Sequence, residues 1–166
     1  MKASKLDIVQ RKIYSGPEEF RSTLNLWRFT DQKIVFTNGC FDLIHLGHID
    51  YLSKAADLGN RLIIGLNSDL STSAIKGPSR PINDEQSRSS ILAAMFFVDA
   101  VILFNDATPY KLIESVMPDV LVKGADYSID QIIGSDLVQA RGGEVQTIGF
   151  LPGYSTTTIE NRIKSS

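Results

Sequence analysis

Histidine and cysteine are scarce in this chain, and that scarcity excludes a good deal of chemistry. The 166 residues include one cysteine, Cys40, two histidines and one tryptophan. A single cysteine excludes an intrachain disulfide and a multi-cysteine metal site, and it fits a reducing compartment. No apolar run is long enough to span a bilayer, and no signal-peptide layout opens the chain. Cytoplasm is therefore the expected location. The net charge of -2 gives no general attraction to nucleic acid or to an anionic membrane surface. The Gly-x-x-x-x-Gly-Lys-Ser/Thr loop is absent, which excludes a P-loop NTPase. Gly-x-Gly-x-x-Gly is missing after the first strand, which argues against NAD or FAD, and no Gly-x-Ser-x-Gly elbow occurs.

What remains is ordinary for a globular protein: 43% apolar and 22% charged residues, with one domain as the default. Residues 1–14 read as a polar, basic arm that is ordered only if it docks. Ser15-Gly16-Pro17-Glu18 reads as a helix start with a serine cap, the helix running to about Phe29. From residue 33 the rhythm becomes strand–helix. Strands are expected at 33–36, 61–66, 98–104, 120–123 and 144–148. Helices are expected at 49–58, 84–95, 109–116, 136–141 and 155–163, with a loop over 67–83. This alternation argues for an α/β fold: a Rossmann-like, doubly wound parallel sheet of five strands over 33–166, preceded by an arm and helix over 1–32. Ligands of such sheets bind beyond the carboxyl ends of the strands.

Both histidines stand at such an end, in His45-Leu46-Gly47-His48, after the strand and turn that lead to Asp42. A helix start with two imidazoles and free N–H groups suits phosphate oxygens. Gly47 permits close approach of a ligand or another backbone. Zinc would need a third or fourth ligand, and Asp42 is the only nearby candidate, so no metal is expected at the pair. Cys40 reads as a small turn-filling residue, although a thiolate is conceivable there. No histidine is left to activate a distant nucleophile. Chemistry without a general base fits: a sugar phosphate, already anionic, attacks the α-phosphorus of a nucleoside triphosphate and expels pyrophosphate. The protein then positions the partners and neutralises phosphoryl charge.

Thr37-Asn38-Gly39-Cys40-Phe41-Asp42-Leu43-Ile44-His45-Leu46-Gly47-His48 resembles the fingerprint of the nucleotidylyltransferase superfamily, the cytidylyltransferase-like group with His-x-Gly-His. Asn67-Ser68-Asp69, Lys76-Gly77-Pro78-Ser79-Arg80-Pro81, Pro118–Tyr127 and Gly153-Tyr154-Ser155-Thr156-Thr157 resemble the adenylyltransferase domain of the bifunctional heptose kinase/adenylyltransferases. Five motifs in order cover residues 33–163. The resemblance implies adenylyl transfer from ATP to D-glycero-D-manno-heptose 1-phosphate, for lipopolysaccharide, with Mg²⁺ as cofactor. It implies catalytic roles for His45, His48 and Lys76. It implies nucleotide contacts from Cys40, Phe41, Gly47, Lys123, Gly124, Ser155, Thr156 and Thr157, and substrate contacts from Asp42, Arg80 and Asp126. A homodimer is also implied, together with a separate sugar kinase to supply the substrate.

Simpler readings stand beside several of these roles. Lys76 is otherwise a solvated loop lysine, Arg80 an ordinary salt-bridge partner, Asp126 a capping aspartate and Ser155 a plain N-cap. The related glycerol-phosphate cytidylyltransferases carry an arginine shortly before Ser-Thr-Thr, and here that stretch is Phe150-Leu151-Pro152. This departure counts against a cytidylyl enzyme acting on glycerol 3-phosphate, the nearest rival. A non-catalytic nucleotide-binding subunit is the rival from another class, and intact His45, His48 and Lys76 speak against it.

Overall fold

The apolar run Leu62-Ile63-Ile64 lies deep in one parallel sheet, as expected for a strand covered on both faces. A computed structural model provides the structure and describes residues 3–165. Its strands are β1 (Ile13–Tyr14), β2 (Ile34–Gly39), β3 (Arg61–Asn67), β4 (Ala100–Phe104), β5 (Val120–Gly124) and β6 (Glu144–Ile148). They run in the order β1-β4-β3-β2-β5-β6, every pair parallel. The helices are α1 (Lys5–Gln10), α2 (Pro17–Phe29), α3 (Leu46–Ala56), α4 (Asp69–Lys76), α5 (Glu85–Ala94), α6 (Tyr110–Val116), α7 (Ser135–Ala140) and α8 (Thr156–Lys164). Among the described residues, no helix is long and apolar enough to cross a membrane.

Strand alternation divides the core in two. Ile34, Phe36, Ile63, Ile102 and Leu121 join Phe20, Leu24 and Ile113 on one face. Val35, Leu62, Ile64, Val101 and Val120 join Leu52, Ala55 and Leu92 on the other. The chain leaves β2 towards β3 on one side and later returns to β2's other side as β5. The resulting crevice, beyond the carboxyl ends of β2 and β5, is where a doubly wound sheet takes its ligand.

Four expectations need correction. The sheet has six strands, because Ile13 and Tyr14 pair with Val101 and Ile102. Residues 3–14 meet the condition set for the arm, since they dock and are built into the fold. Ser4 and Asp7 close a capping box on α1, and Lys12 Nζ donates to Val98 O at 2.7 Å and Met95 O at 3.3 Å. Gly16, not Ser15, caps α2, and Ser15 instead donates through N and Oγ to Glu19. The 67–83 loop contains α4, capped by Ser68 accepting from Ser71 N at 3.1 Å. In addition, α3 begins at Leu46, three residues before the expected start, so the histidines belong to the helix end itself.

Candidate active site

The end of β2 turns sharply into α3. Phe41 takes a positive φ of 46°, which places its ring edge-on to His48 at 5.5 Å. A Cβ on Gly39 would stand 3.0 Å from that ring. Asp42 anchors the turn. Its carboxylate accepts from Ile82 N and Asn83 N at 2.9 Å and from Arg80 Nη1 at 2.8 Å. Burial works to raise the Asp42 carboxyl, but these donors together outweigh it and hold it below the usual carboxylate range.

His45 is the N-cap of α3 and His48 its third residue, with the rings stacked at 3.9 Å. His48 Nδ1 accepts from His45 N at 3.4 Å. That assigns the proton to Nε2, which leaves His48 one donor. Burial lowers the His48 pKa from 6.5 to about 4, helped by His45 and Lys76, and burial lowers His45 as well. Both rings are therefore neutral at physiological pH, as at other helix N-termini that would repel imidazolium. His45 Nδ1 is buried without a hydrogen-bond partner. A Cβ on Gly47 would come within 3.0 Å of the His45 ring and 3.2 Å of Tyr154 Cβ, so glycine is what lets these segments close.

These groups face a cavity of about 420 Å³. Of the residues expected from the sequence, Cys40, Phe41, His45, Gly47, His48, Lys76, Lys123, Gly124, Asp126, Ser155 and Thr156 line it. Lys123 Nζ donates to Asn38 O at 3.1 Å, bridging β5 and β2. Burial lowers the Lys123 pKa, while Asp126 and Cys40 oppose the shift. A Cβ on Gly124 would meet Phe150 Cζ at 2.2 Å and Asp126 Oδ1 at 2.7 Å, so a side chain there would displace both groups that line the cavity. Ser155 caps α8 by accepting from Thr158 N at 3.1 Å.

Three expected residues do not line the cavity: Asp42, Arg80 and Thr157. Asp42 is 2% exposed and engaged as described. Arg80 pairs with Asp42 and with Glu160 of α8. The salt-bridge reading of Arg80 thus describes its contacts, and Asp42 acts on the turn from behind. Thr157 is exposed on the outside of α8.

The cavity also holds residues to which the sequence reading assigned no role, including Asn38, Tyr51, Phe150 and Tyr154. Asn38 Oδ1 is buried without a partner. Tyr51, on the inner face of α3, shares a hydrogen bond of 2.8 Å with Thr37, and burial pushes its pKa up to about 12. Arg88 lies fully buried behind the site, donating to Cys40 O at 2.6 Å, Asn67 O at 2.8 Å, Asn83 O at 2.9 Å and Asp69 Oδ1 at 2.7 Å. Its only sequence signal was an arginine on the inner face of an expected helix. Two neutral imidazole donors, two lysines and two helix N-termini around one crevice make a receptor for a polyphosphate.

The chain is 52% identical over 139 residues to the bifunctional protein HldE of Methylobacillus flagellatus, covering 84% of this chain. It is 47% identical over 153 residues to that of Nitrobacter hamburgensis, covering 92%. The chain spans only 28% and 31% of the length of these two relatives. The solved lipopolysaccharide core biosynthesis protein of Thermoplasma volcanium superposes with a TM-score of 0.58 at 30% identity, covering 72% of this chain and 97% of that one. A pantoate-beta-alanine ligase from Francisella tularensis, solved with an ATP analogue and beta-alanine, shares the fold at TM-score 0.63 and 18% identity, covering 92% of this chain and 76% of that one. The cytidylyltransferase-like family model matches residues 36–165, the span that carries every wall of the cavity, and the chain belongs to that family.

Proposed function

We propose that this protein transfers an adenylyl group from ATP to D-glycero-D-manno-heptose 1-phosphate, giving ADP-heptose and pyrophosphate. The observation that carries the reaction type is the pair of neutral histidines at the start of α3, facing Lys76 and Lys123 across the cavity. In the reaction a sugar-phosphate oxygen bonds to the α-phosphorus while the bond from that phosphorus to the pyrophosphate oxygen breaks. No proton need be removed from the nucleophile. His48 Nε2–H donates to phosphoryl oxygens as charge moves onto them. Lys76, at the exposed C-terminal end of α4, neutralises the departing pyrophosphate or the incoming phosphate. Lys123 and the α8 start, with Ser155 and Thr156, complete the cradle.

Mg²⁺ would neutralise triphosphate charge when bound. Among the described residues no group of three His, Cys, Asp or Glu side chains is placed to hold an ion. Magnesium held through the triphosphate, with Asp126 as the lining carboxylate, fits this donor set.

Support for the sugar and base comes from the motif resemblance. The names of the relatives accord with it: a bifunctional protein of which this chain matches under a third, and a lipopolysaccharide core biosynthesis protein. On this reading the protein works in the cytoplasm, as a homodimer, on a product of a sugar kinase. The test is pyrophosphate release with Mg²⁺, heptose 1-phosphate and each of ATP, CTP, GTP and UTP. Release with ATP is expected. Release with CTP alone moves the assignment to a cytidylyltransferase, and no release with any pair refutes the heptose reading.

A further inference from the structure

The cavity walls come from separate segments, and one residue behind them joins three, two through its side chain and one through its backbone carbonyl. Arg80 Nη1 donates to Asp42 Oδ2 at 2.8 Å, its Nη2 pairs with Glu160 of α8, and its carbonyl accepts from Ser73 Oγ of α4. The arginine side chain is 16% exposed, Asp42 1% and Glu160 23%, so these pairs are shielded from solvent. Each partner leads to a wall. Asp42 lies three residues before His45, and Ser73 three before Lys76. Glu160 lies four after Thr156, on the same face of α8. No residue of α8 is fully buried, so an ion pair weighs more in its placement than it would in a packed helix.

We propose that Arg80 is a positioning residue. Its planar fork ties the histidine turn to the hydroxyl-bearing start of α8, and its backbone carbonyl ties both to the lysine-bearing α4, at the spacing a triphosphate needs. The proposal rests on the nucleotidyl-transfer reading for what the cavity holds. A guanidinium offers two N–H edges in fixed geometry, whereas a lysine ammonium is a point charge that serves one carboxylate well. An arginine bound at both edges to carboxylates is spoken for. A direct phosphate ligand would instead keep N–H groups turned to the cavity, which Arg80 does not line.

The two roles diverge at Glu160. Arg80→Gln, Glu160→Gln, the double variant and Arg80→Lys are compared with the parent by pyrophosphate release and by hydrogen exchange of α8 amides in the free protein. Thermal melts monitor folding. If Arg80 positions, each glutamine variant raises KM for the nucleotide roughly tenfold, the scale of one charge-assisted hydrogen bond. The double variant is then no worse than either single one, because both break one device. Arg80→Lys fails to restore KM, and α8 amides exchange faster in all four. If Glu160→Gln leaves KM unchanged or lowers it while Arg80→Gln raises it, Arg80 is a phosphate ligand and the proposal falls. Unchanged α8 exchange, or a lowered melting temperature with unchanged KM, also overturns it. If the parent protein releases no pyrophosphate, the underlying reading fails. Exchange and calorimetric ATP binding then judge the positioning role alone: faster exchange with weaker ATP binding in both glutamine variants upholds it, and parent-like values refute it.

Discussion

The fold opposes protonation of both rings in this cavity, and of His48 most. Burial first, then His45 and Lys76, hold His48 at about 4 instead of 6.5. Between those values the unfolded chain binds a proton that the folded chain does not. The contribution of this ring to stability is therefore complete above pH 6.5 and drains away as the pH falls towards 4. The difference corresponds to about 3 kcal/mol. The ring faces an open cavity where solvent screens part of the effect, so about 2 kcal/mol is expected. His48→Gln removes the titration but keeps a carbonyl to accept from His45 N–H and an amide to donate into the cavity. Urea unfolding of both proteins across this range reads the difference. The parent should lose about 2 kcal/mol relative to the variant between neutral pH and about pH 4. His45 touches His48, so its titration differs between the two proteins, and its own ring signal gives its share in each. With only two histidines in the chain, ring NMR signals assign directly, the variant identifying His48. A His48 midpoint near 6.5, or a stability difference that does not change with pH, would refute the burial argument.

Three further outcomes follow from the same geometry. Lys76→Ala should lower kcat/KM by about a hundredfold, the loss of one cation on a transferring phosphoryl group, with no change in melting temperature because the side chain is exposed; unchanged turnover would make Lys76 an ordinary surface lysine. Gly124→Ala should raise KM for the nucleotide with little loss of stability, since the added methyl meets the far end of exposed Phe150, which can swing into the cavity. A large drop in melting temperature would show that the clash falls on the backbone instead. Arg88→Met strands the carbonyls of Cys40, Asn67 and Asn83 and should cost about 3–5 kcal/mol in urea unfolding; a cost below about 1 kcal/mol would mean that water replaces the arginine.

Much of the fold was legible because its strands are covered on both faces. A buried parallel strand reads as a continuous apolar run, and Leu62-Ile63-Ile64 and Val120-Leu121-Val122 do so. β1 was illegible because two residues carry no period. Pairing with β4 makes it a strand, and Lys12 holds it there by donating to Met95 O and Val98 O. α4 was illegible for a different reason. Its serines and threonine compete for their own backbone and favour turns, and Gly77 and Pro78 follow closely. The fold overrides this by burying Ser71 and Thr72 and by pairing Asp69 with Arg88.

The site divides along the same line. Residues in the β2–α3 junction are close in sequence, so a strand, a glycine turn and a helix start bring His45, Gly47 and His48 together by local geometry alone. Their neutrality follows from burial in the assembled cavity. Asp42 and Arg80 carry the charges that a sequence reading assigns to substrate, and no local rule shows that they pair with each other and with Glu160, 80 residues beyond. Tyr51 and Phe150 lie outside the five motifs, Asn38 and Tyr154 lie inside two of them with no role of their own, and all four reach the cavity from three segments. Local chain geometry wrote the histidine clamp into consecutive residues. The choice between ligand and scaffold at Asp42 and Arg80 was left to contacts that exist only once β2, α4 and α8 meet, because a charge is taken by whichever partner the packed chain brings within reach.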